Sequence, residues 1–180
     1  MDAGRPENVT DLVELFYESL YRYAYRLSGA AADADDLTQE AFLRAFRKFD
    51  TFAPGTNCKA WLFTITYSLF VNRYHRGRRE PELVALNDPD PLPRRGAADA
   101  RSVPTPARVV AAADIESALA QLSEEYRAAI LLVDVEELSY EEAASVVGCP
   151  VGTIRSRLFR ARKHLAVSLR DYDIAQRRQP

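Results

Sequence analysis

The stretch that most limits the fold lies near the C-terminus, where residues 138–165 read LSYEEAASVVGCPVGTIRSRLFRARKHL. Ser139 and Glu142 have the spacing of a capping box, which begins a helix, and Gly148 is typical of a helix C-terminus. Pro150 suits the first turn of a following helix, because an N–H at that position would have no partner within the helix. Two helices joined by a turn of about three or four residues form a helix-turn-helix.

The second of these helices has two different faces. At about 100° per residue, one side collects apolar residues: Val151, Ile154, Leu158, Ala161, Leu165 and Leu169. The opposite side carries Ser156, Phe159, Arg160 and Lys163, with Arg155 on its flank. Arginine binds guanine edges and phosphates, and an aromatic ring on the surface can pack on a thymine methyl group. This pattern favours DNA binding over a basic face that is merely solvated.

The remaining segments also have helical periodicity, and none resembles a strand. Candidate N-caps precede the predicted helices: Thr10, Asp33 (with Asp36 in the capping-box position), Thr56 or Asn57, and Ser123. Five prolines fall between residues 83 and 110, a range without helical or strand period, which indicates a flexible linker. The fold is therefore predicted to be all-α, with two small helical domains (8–82 and 111–170) joined by the linker 83–110.

Composition restricts the class of protein. The formal charge is -2, but in the C-terminal block the acids precede the turn and most of the bases follow it, which suits one acidic and one basic partner. No apolar run approaches the length of a membrane span, and the N-terminus does not resemble a secretory signal. We therefore expect a cytoplasmic protein with no membrane insertion. Cys58 and Cys149 are expected to be free thiols, with a redox role for Cys58 as the minor alternative.

Nothing in the chain has the pattern of an enzyme site. The two histidines, His75 and His164, are isolated, and neither a phosphate-binding loop nor a paired-carboxylate site is recognisable. We expect no catalytic activity, metal or cofactor. The helix after Cys58 is instead rich in aromatic residues and ends in NRYHRGRR, a combination that can stack on unpaired bases and hold their backbone.

Three motifs together carry a family resemblance: DLTQEAFLRAFRKFDTF, KAWLFTI and the helix-turn-helix quoted above. In this order and spacing they resemble a bacterial RNA polymerase sigma factor of the extracytoplasmic-function (group 4) family. The resemblance covers both predicted domains, as sigma region 2 and region 4, and leaves out the linker and tails. It implies a non-enzymatic factor that directs core RNA polymerase to promoters and assists melting, and an anti-sigma factor is expected to hold it.

The resemblance also implies roles for matching positions. Contact with the polymerase beta-prime clamp helices is implied for Asp36, Gln39, Glu40, Leu43 and Phe46. Recognition and opening of the -10 element are implied for Phe52, Thr56, Asn57, Trp61, Asn72, Arg73 and Arg76. Contact with the -35 element is implied for Arg155, Ser156, Phe159, Arg160 and Lys163. Thr56 or Asn57 could equally serve only as an N-cap.

Two other interpretations compete with this one. A free-standing helix-turn-helix regulator would bind a palindrome as a dimer, with the N-terminal block as a sensor or dimerisation domain. It leaves the acidic helix around Asp36 and the aromatic–basic helix without a role. A helical adaptor that binds only proteins leaves Phe159 and its neighbouring arginines unexplained.

Overall fold

The computed structural model describes residues 9–52, 56–77 and 112–177. These ranges contain seven α-helices: α1 (Val9–Ser28), α2 (Ala31–Lys48), α3 (Cys58–Gly77), α4 (Ala112–Ala120), α5 (Glu124–Ile130), α6 (Tyr140–Val147) and α7 (Val151–Arg177). A 3-10 turn, Phe49–Thr51, follows α2, and a π-helical segment, Leu131–Val135, continues α5. No strand occurs within the described ranges, and the predicted all-α fold is confirmed.

Some predicted features fall outside these ranges. The linker 83–110 does so, as do residues 53–55, which lie between the predicted -10 residues Phe52 and Thr56. For Arg76 only the backbone, within α3, is described. The predicted domain boundaries therefore stay predictions. Among the helices that are described, none has both the length and the apolar character needed to cross a lipid bilayer.

Helices α1, α2 and α3 pack around an apolar core. Its buried members include Leu12, Leu20, Tyr23, Leu27, Leu37, Ala41, Ala45, Leu62, Phe63, Leu69 and Phe70. The predicted caps of α1 and α2 are wrong. Helix α1 begins at Val9, so Thr10 lies inside it, and the N-cap of α2 is Ala30, which makes no side-chain capping bond. Since α2 begins at Ala31, Asp33 and Asp36 lie inside the helix, where both carboxylates are close to an arginine of α3.

Helices α6 and α7 form the helix-turn-helix. The Ser139 hydroxyl accepts a hydrogen bond from the Glu142 N–H (3.1 Å), and the Glu142 carboxylate accepts one from the Ser139 N–H (2.8 Å), which confirms the capping box. Gly148 ends α6 with φ of 74°, a left-handed conformation that favours glycine. Pro150 lies one position earlier than predicted, just before α7, where its carbonyl accepts from the Ile154 N–H (3.3 Å).

The N-terminal and C-terminal blocks are docked against each other, which the sequence did not predict. Helix α3 lies against α6, and α1 lies against α4 and α5, so that buried residues of both blocks belong to one apolar core. Arg127 of α5 donates to the Leu27 carbonyl at the end of α1 (3.1 Å). Arg26 lies 2.8 Å from Glu116 of α4. A cation at the C-terminus of α1 is favourable because the last carbonyls of a helix carry partial negative charge.

Candidate nucleic-acid interface

The predicted DNA-binding face of α7 lies on the surface of the described structure. Ile154, Leu158 and Ala161 are buried on the opposite side of the helix. Phe159 is 72% exposed, the most exposed large apolar side chain of the described residues. Its neighbours Arg155, Ser156, Arg160 and Lys163 are exposed as well. A phenylalanine left in water forgoes the free energy of burial, about 1.5–3 kcal/mol, unless a partner covers it.

Two other cations of α7 have acidic partners inside the C-terminal block. Arg162 makes a bidentate pair with Asp134, with N–O distances of 2.6 and 3.0 Å. The hydrogen bonds that this guanidinium donates to Asp134 raise its pKa further above the usual value. Arg157, whose side chain is 18% exposed, lies 3.7 Å from Glu125. These two arginines stabilise the fold and are different residues from those predicted to contact DNA.

Aromatic residues of the C-terminal block contact two of the predicted DNA-binding arginines. The guanidinium carbon of Arg155 lies 5.7 Å from the centre of the Tyr140 ring, a cation–π distance. Arg160 donates to the hydroxyl of the buried Tyr126 (3.3 Å). Sequence reasoning missed both tyrosines, since Tyr140 reads as a helix start and Tyr126 as core. Because Tyr140 begins α6, both helices of the helix-turn-helix contribute to the orientation of Arg155.

Asn57, predicted to read the -10 element or to cap a helix, is the N-cap of α3. Its Oδ1 accepts a hydrogen bond from the Ala60 N–H (3.3 Å). Its Nδ2 donates to the Glu142 carboxylate of α6 (2.7 Å), so the same side chain also joins the two blocks. Thr56, the other candidate, precedes the cap and is exposed. The capping interpretation is correct for Asn57, and its polar groups are engaged in the docked conformation.

A buried ion pair lies beside Asn57. The Lys59 ammonium contacts the Glu136 carboxylate at 2.9 Å and donates to the Glu136 carbonyl at 2.7 Å. The Glu136 side chain is only 4% exposed, and Lys59 is 26% exposed. Glu137, the next residue, has a φ of 58°, which is strained for a non-glycine residue. Sequence reasoning missed this pair because its members lie 77 positions apart and belong to different blocks.

The aromatic residues of α3 divide between core and surface. Phe63 and Phe70 are buried, and Phe63 packs on Tyr23 with ring centres 4.7 Å apart. Phe52 and Trp61, both predicted -10 residues, are half-buried, and their ring centres lie 5.2 Å apart. Core packing therefore accounts for Phe63 and Phe70, while Phe52 and Trp61 form a small aromatic cluster at the start of α3.

Arg73 and Asp36, predicted for different partners, bind each other. The Arg73 guanidinium donates to Asp36 at 2.8 Å and lies 3.6 Å from Asp33. The hydrogen bond that Arg73 donates to Asp36 raises the pKa of Arg73. Asn72, beside Arg73, is exposed. The predicted polymerase surface of α2 and the predicted DNA surface of α3 therefore meet along one groove between these helices.

The groove has an apolar floor and charged walls. It encloses about 220 Å³ and is lined by Asp36, Leu37, Glu40, Arg44, Leu69, Asn72 and Arg73. Glu40 pairs with Arg44 on its own helix (2.9 Å). Beyond the groove, Leu43 is 52% and Phe46 is 66% exposed, and Gln39 is exposed too. The five predicted polymerase residues thus lie along α2, with the acidic groups at the groove and the exposed apolar groups nearer the C-terminus of the helix.

Both cysteines are poor nucleophiles. Burial raises the pKa of Cys58 to about 11, and Cys58 is the first residue of α3 rather than a loop residue. Burial also raises the pKa of Cys149, although Arg157 opposes this. Thiolate, not thiol, reacts with oxidants, so these environments disfavour the redox alternative considered for Cys58.

Known proteins match both blocks. The family model "Sigma-70 region 2" matches residues 12–80, and "Sigma-70, region 4" matches residues 112–165. The chain is 41% identical over 166 residues to ECF RNA polymerase sigma factor SigE of Mycolicibacterium smegmatis, covering 90% of this chain and 60% of that protein. It is 42% identical over 151 residues to ECF RNA polymerase sigma factor EcfG of Rhodopseudomonas palustris, covering 84% of this chain and 79% of that protein.

A solved structure shares the fold. It is the sigma factor RpoE in complex with the anti-sigma factor NepR, from Bartonella quintana, with a TM-score of 0.69 and 33% identity. The match covers 89% of this chain and 96% of that chain. Both family models, in the order of the two helical blocks, and relatives above 40% identity agree with the resemblance noted in the sequence. This chain belongs to the extracytoplasmic-function (ECF) family of RNA polymerase sigma factors.

Proposed function

We propose that this chain binds core RNA polymerase, directs it to promoters through the -10 and -35 elements, and assists opening of the duplex. The observation that carries the proposal is the surface of α7, where Phe159 is 72% exposed beside exposed Arg155 and Lys163 in a member of the sigma family. The proposed role is one of binding and positioning, and bond formation belongs to the polymerase.

At the -35 element, α7 enters the major groove as the recognition helix of the helix-turn-helix. Arg155 and Arg160 donate to guanine edges, and Phe159 packs on a thymine methyl group. Ser156 and Lys163 contact phosphates and fix the position of the helix. Arg162 is not part of this proposed DNA contact, because its guanidinium binds Asp134 within the C-terminal block.

Core polymerase binds the surface formed by Asp36, Gln39, Glu40, Leu43 and Phe46. Exposed Leu43 and Phe46 offer apolar area, and Asp36 with Glu40 offers negative charge, so the matching surface is an apolar and basic one. The beta-prime clamp helices are the proposed partner, as the family resemblance implies.

At the -10 element, the loop around Thr56 and Asn57 receives an unstacked base, while Phe52 and Trp61 support it by stacking. Asn72, Arg73 and Arg76 hold the backbone. Asn57 is bonded to Glu142 in the docked conformation, so its use in base reading requires that contact to break. Polymerase binding would hold the two blocks apart, and each DNA contact then becomes effectively intramolecular.

An anti-sigma factor is a further proposed partner. A sigma factor of the same fold was solved in complex with the anti-sigma factor NepR, and the match covers most of both chains. The exposed apolar residues of α2 provide surface for such a partner, which would compete with polymerase for them.

The test is core-dependent open-complex formation on promoters selected from a randomised library. We expect opening only when this chain and core are both present. A dimeric regulator would instead bind duplex DNA without core, and an adaptor would bind no DNA. The double variant Asp36→Lys/Glu40→Lys should weaken core binding, whereas Asp35→Lys/Asp11→Lys, with the same change of charge, should not. Equal effects of the two double variants on core binding would contradict the assignment of this surface to polymerase.

A further inference from the structure

The ion pair between Arg73 and Asp36 joins two surfaces that the proposed function assigns to different partners. Arg73 lies on α3 with the predicted -10 residues, and Asp36 lies on α2 with the predicted polymerase residues. Their side chains are 50% and 61% exposed, and their closest contact is 2.8 Å. Asp33 is a second carboxylate near the same guanidinium, at 3.6 Å.

A charge engaged in one pair is less available for another. While Arg73 binds Asp36, its guanidinium is turned toward carboxylates, and a DNA phosphate that approaches it also approaches two negative charges. In the same way, Asp36 offers a polymerase cation a charge that Arg73 already compensates. Each surface is thus partly blocked by the other.

We propose that the Arg73–Asp36 pair couples polymerase binding to DNA binding, since a cation of the polymerase that takes Asp36 releases Arg73 for a backbone phosphate of the -10 strand. The inference rests on the proposed function. Coupling between two binding sites is reciprocal, so a phosphate on Arg73 makes Asp36 more available to polymerase by the same factor. Exposed ion pairs are weak, which limits the factor to roughly two- to fivefold.

The chain supplies a matched control. Asp35 is adjacent to Asp36, exposed and equally charged, and the described structure records no ion pair for it. Removing the charge of Asp35 measures how much DNA affinity rises when one negative charge is lost from this surface. Removing the charge of Asp36 measures the same gain in DNA affinity plus the gain from breaking the Arg73–Asp36 pair.

The first measurement is titration of the polymerase-free protein with fluorescein-labelled oligo(dT), a probe for phosphate contacts that carries no promoter sequence. Asp36→Asn should tighten binding roughly two- to fivefold more than Asp35→Asn does. One added phosphate contact should also steepen the dependence of log K on log salt concentration by about 0.7. In an Arg73→Ala background the two aspartate variants should behave alike. If they behave alike with Arg73 present, the coupling is disproved.

The second measurement is titration of core polymerase with Arg73→Ala. The variant should bind core more tightly than wild type, by up to the same factor, because Asp36 is released. Weaker binding would overturn the inference and make Arg73 part of the polymerase contact. Core-dependent opening by the wild type is measured in parallel. If the wild type opens promoters but the variants show no coupling, only this inference is rejected. Failure of opening rejects the proposed function, and the coupling to polymerase with it.

Discussion

Helix α7 and the α2–α3 surface differ in the partners of the residues that are predicted to bind DNA. On α7, Arg157 and Arg162 bind carboxylates, and neither is predicted to bind DNA. In the N-terminal block, Arg73 and Asn57 are predicted to bind DNA, and both already contact carboxylates of this chain. The predicted DNA-binding residues of the C-terminal block are exposed on its surface, and Arg155 and Arg160 contact neutral tyrosines there. To bind DNA as predicted, Arg73 and Asn57 of the N-terminal block would have to exchange contacts with these carboxylates for contacts with DNA.

Breaking the buried pair between the blocks should have the largest effect. Lys59→Met should lower the free energy of unfolding by about 3 kcal/mol, because it leaves the Glu136 carboxylate buried without its cation. Urea denaturation followed by circular dichroism measures the change. The double variant Lys59→Met/Glu136→Leu should recover most of the loss, since it removes both charges. A single variant as stable as wild type would show that the blocks are not docked in solution through this pair.

Two arginines of α7 should separate binding from stability. Arg155→Ala should cost about 1–3 kcal/mol of discrimination at one or two -35 positions, as expected for loss of a base contact. Arg162→Ala should leave that preference in place and lower stability by about 1 kcal/mol, because Asp134 loses its partner. Selection from a randomised promoter library with each holoenzyme, beside thermal unfolding of each variant, measures both quantities. A uniform loss across all sequences for Arg155→Ala would mean that Arg155 contacts only phosphate.

The two thiols should also differ in their rates of alkylation, a smaller effect than those of the arginine variants. Cys58, with its pKa raised to about 11, has roughly one thiolate in a thousand molecules at pH 8. Cys149 is also shifted upward by burial, but the nearby Arg157 favours its thiolate. Iodoacetamide should therefore label Cys149 faster than Cys58 in the folded protein, as mass spectrometry of peptides would show. Faster labelling of Cys58 would indicate that the start of α3 opens readily.

The smallest effect concerns Glu142, which caps α6 and binds Asn57. Burial alone would raise the pKa of Glu142, but hydrogen bonds from Ser139 and Asn57 outweigh it and lower the pKa. A lowered pKa in the folded state adds stability at neutral pH that is lost as the carboxylate protonates. Glu142→Gln should therefore be less stable than wild type by about 0.5–1 kcal/mol at pH 7. The difference should shrink below about pH 4, near the ordinary pKa of glutamate. A constant difference between pH 3 and 7 would contradict it.

Local signals in the sequence predicted local structure well. The capping box of Ser139 and Glu142, the turn at Gly148 and the cap at Asn57 all depend on neighbours within a few positions, and all three are confirmed. Thr10 was a misleading signal, because a residue that can cap a helix need not do so when the helix starts before it.

The contacts that the sequence could not predict join distant residues. Nothing near Asp36 indicates that Arg73, 37 positions away, will pair with it in place of a capping role. Likewise, the apolar stripes of the two blocks predict a buried face for each helix and leave open whether the blocks share one core. Such pairs follow from the docked arrangement of helices, which no short motif encodes.

The most direct measurement compares the two DNA surfaces in the free and polymerase-bound protein. A duplex carrying the selected -35 element and a single strand carrying the selected -10 element are titrated separately with the free chain, with holoenzyme, and with core alone as the control. We predict that core increases affinity for the -10 strand far more than affinity for the -35 duplex, beyond what core contributes alone. Equal increases for both fragments, or a free chain that binds the -10 strand as tightly as holoenzyme does, would contradict the difference between the two blocks.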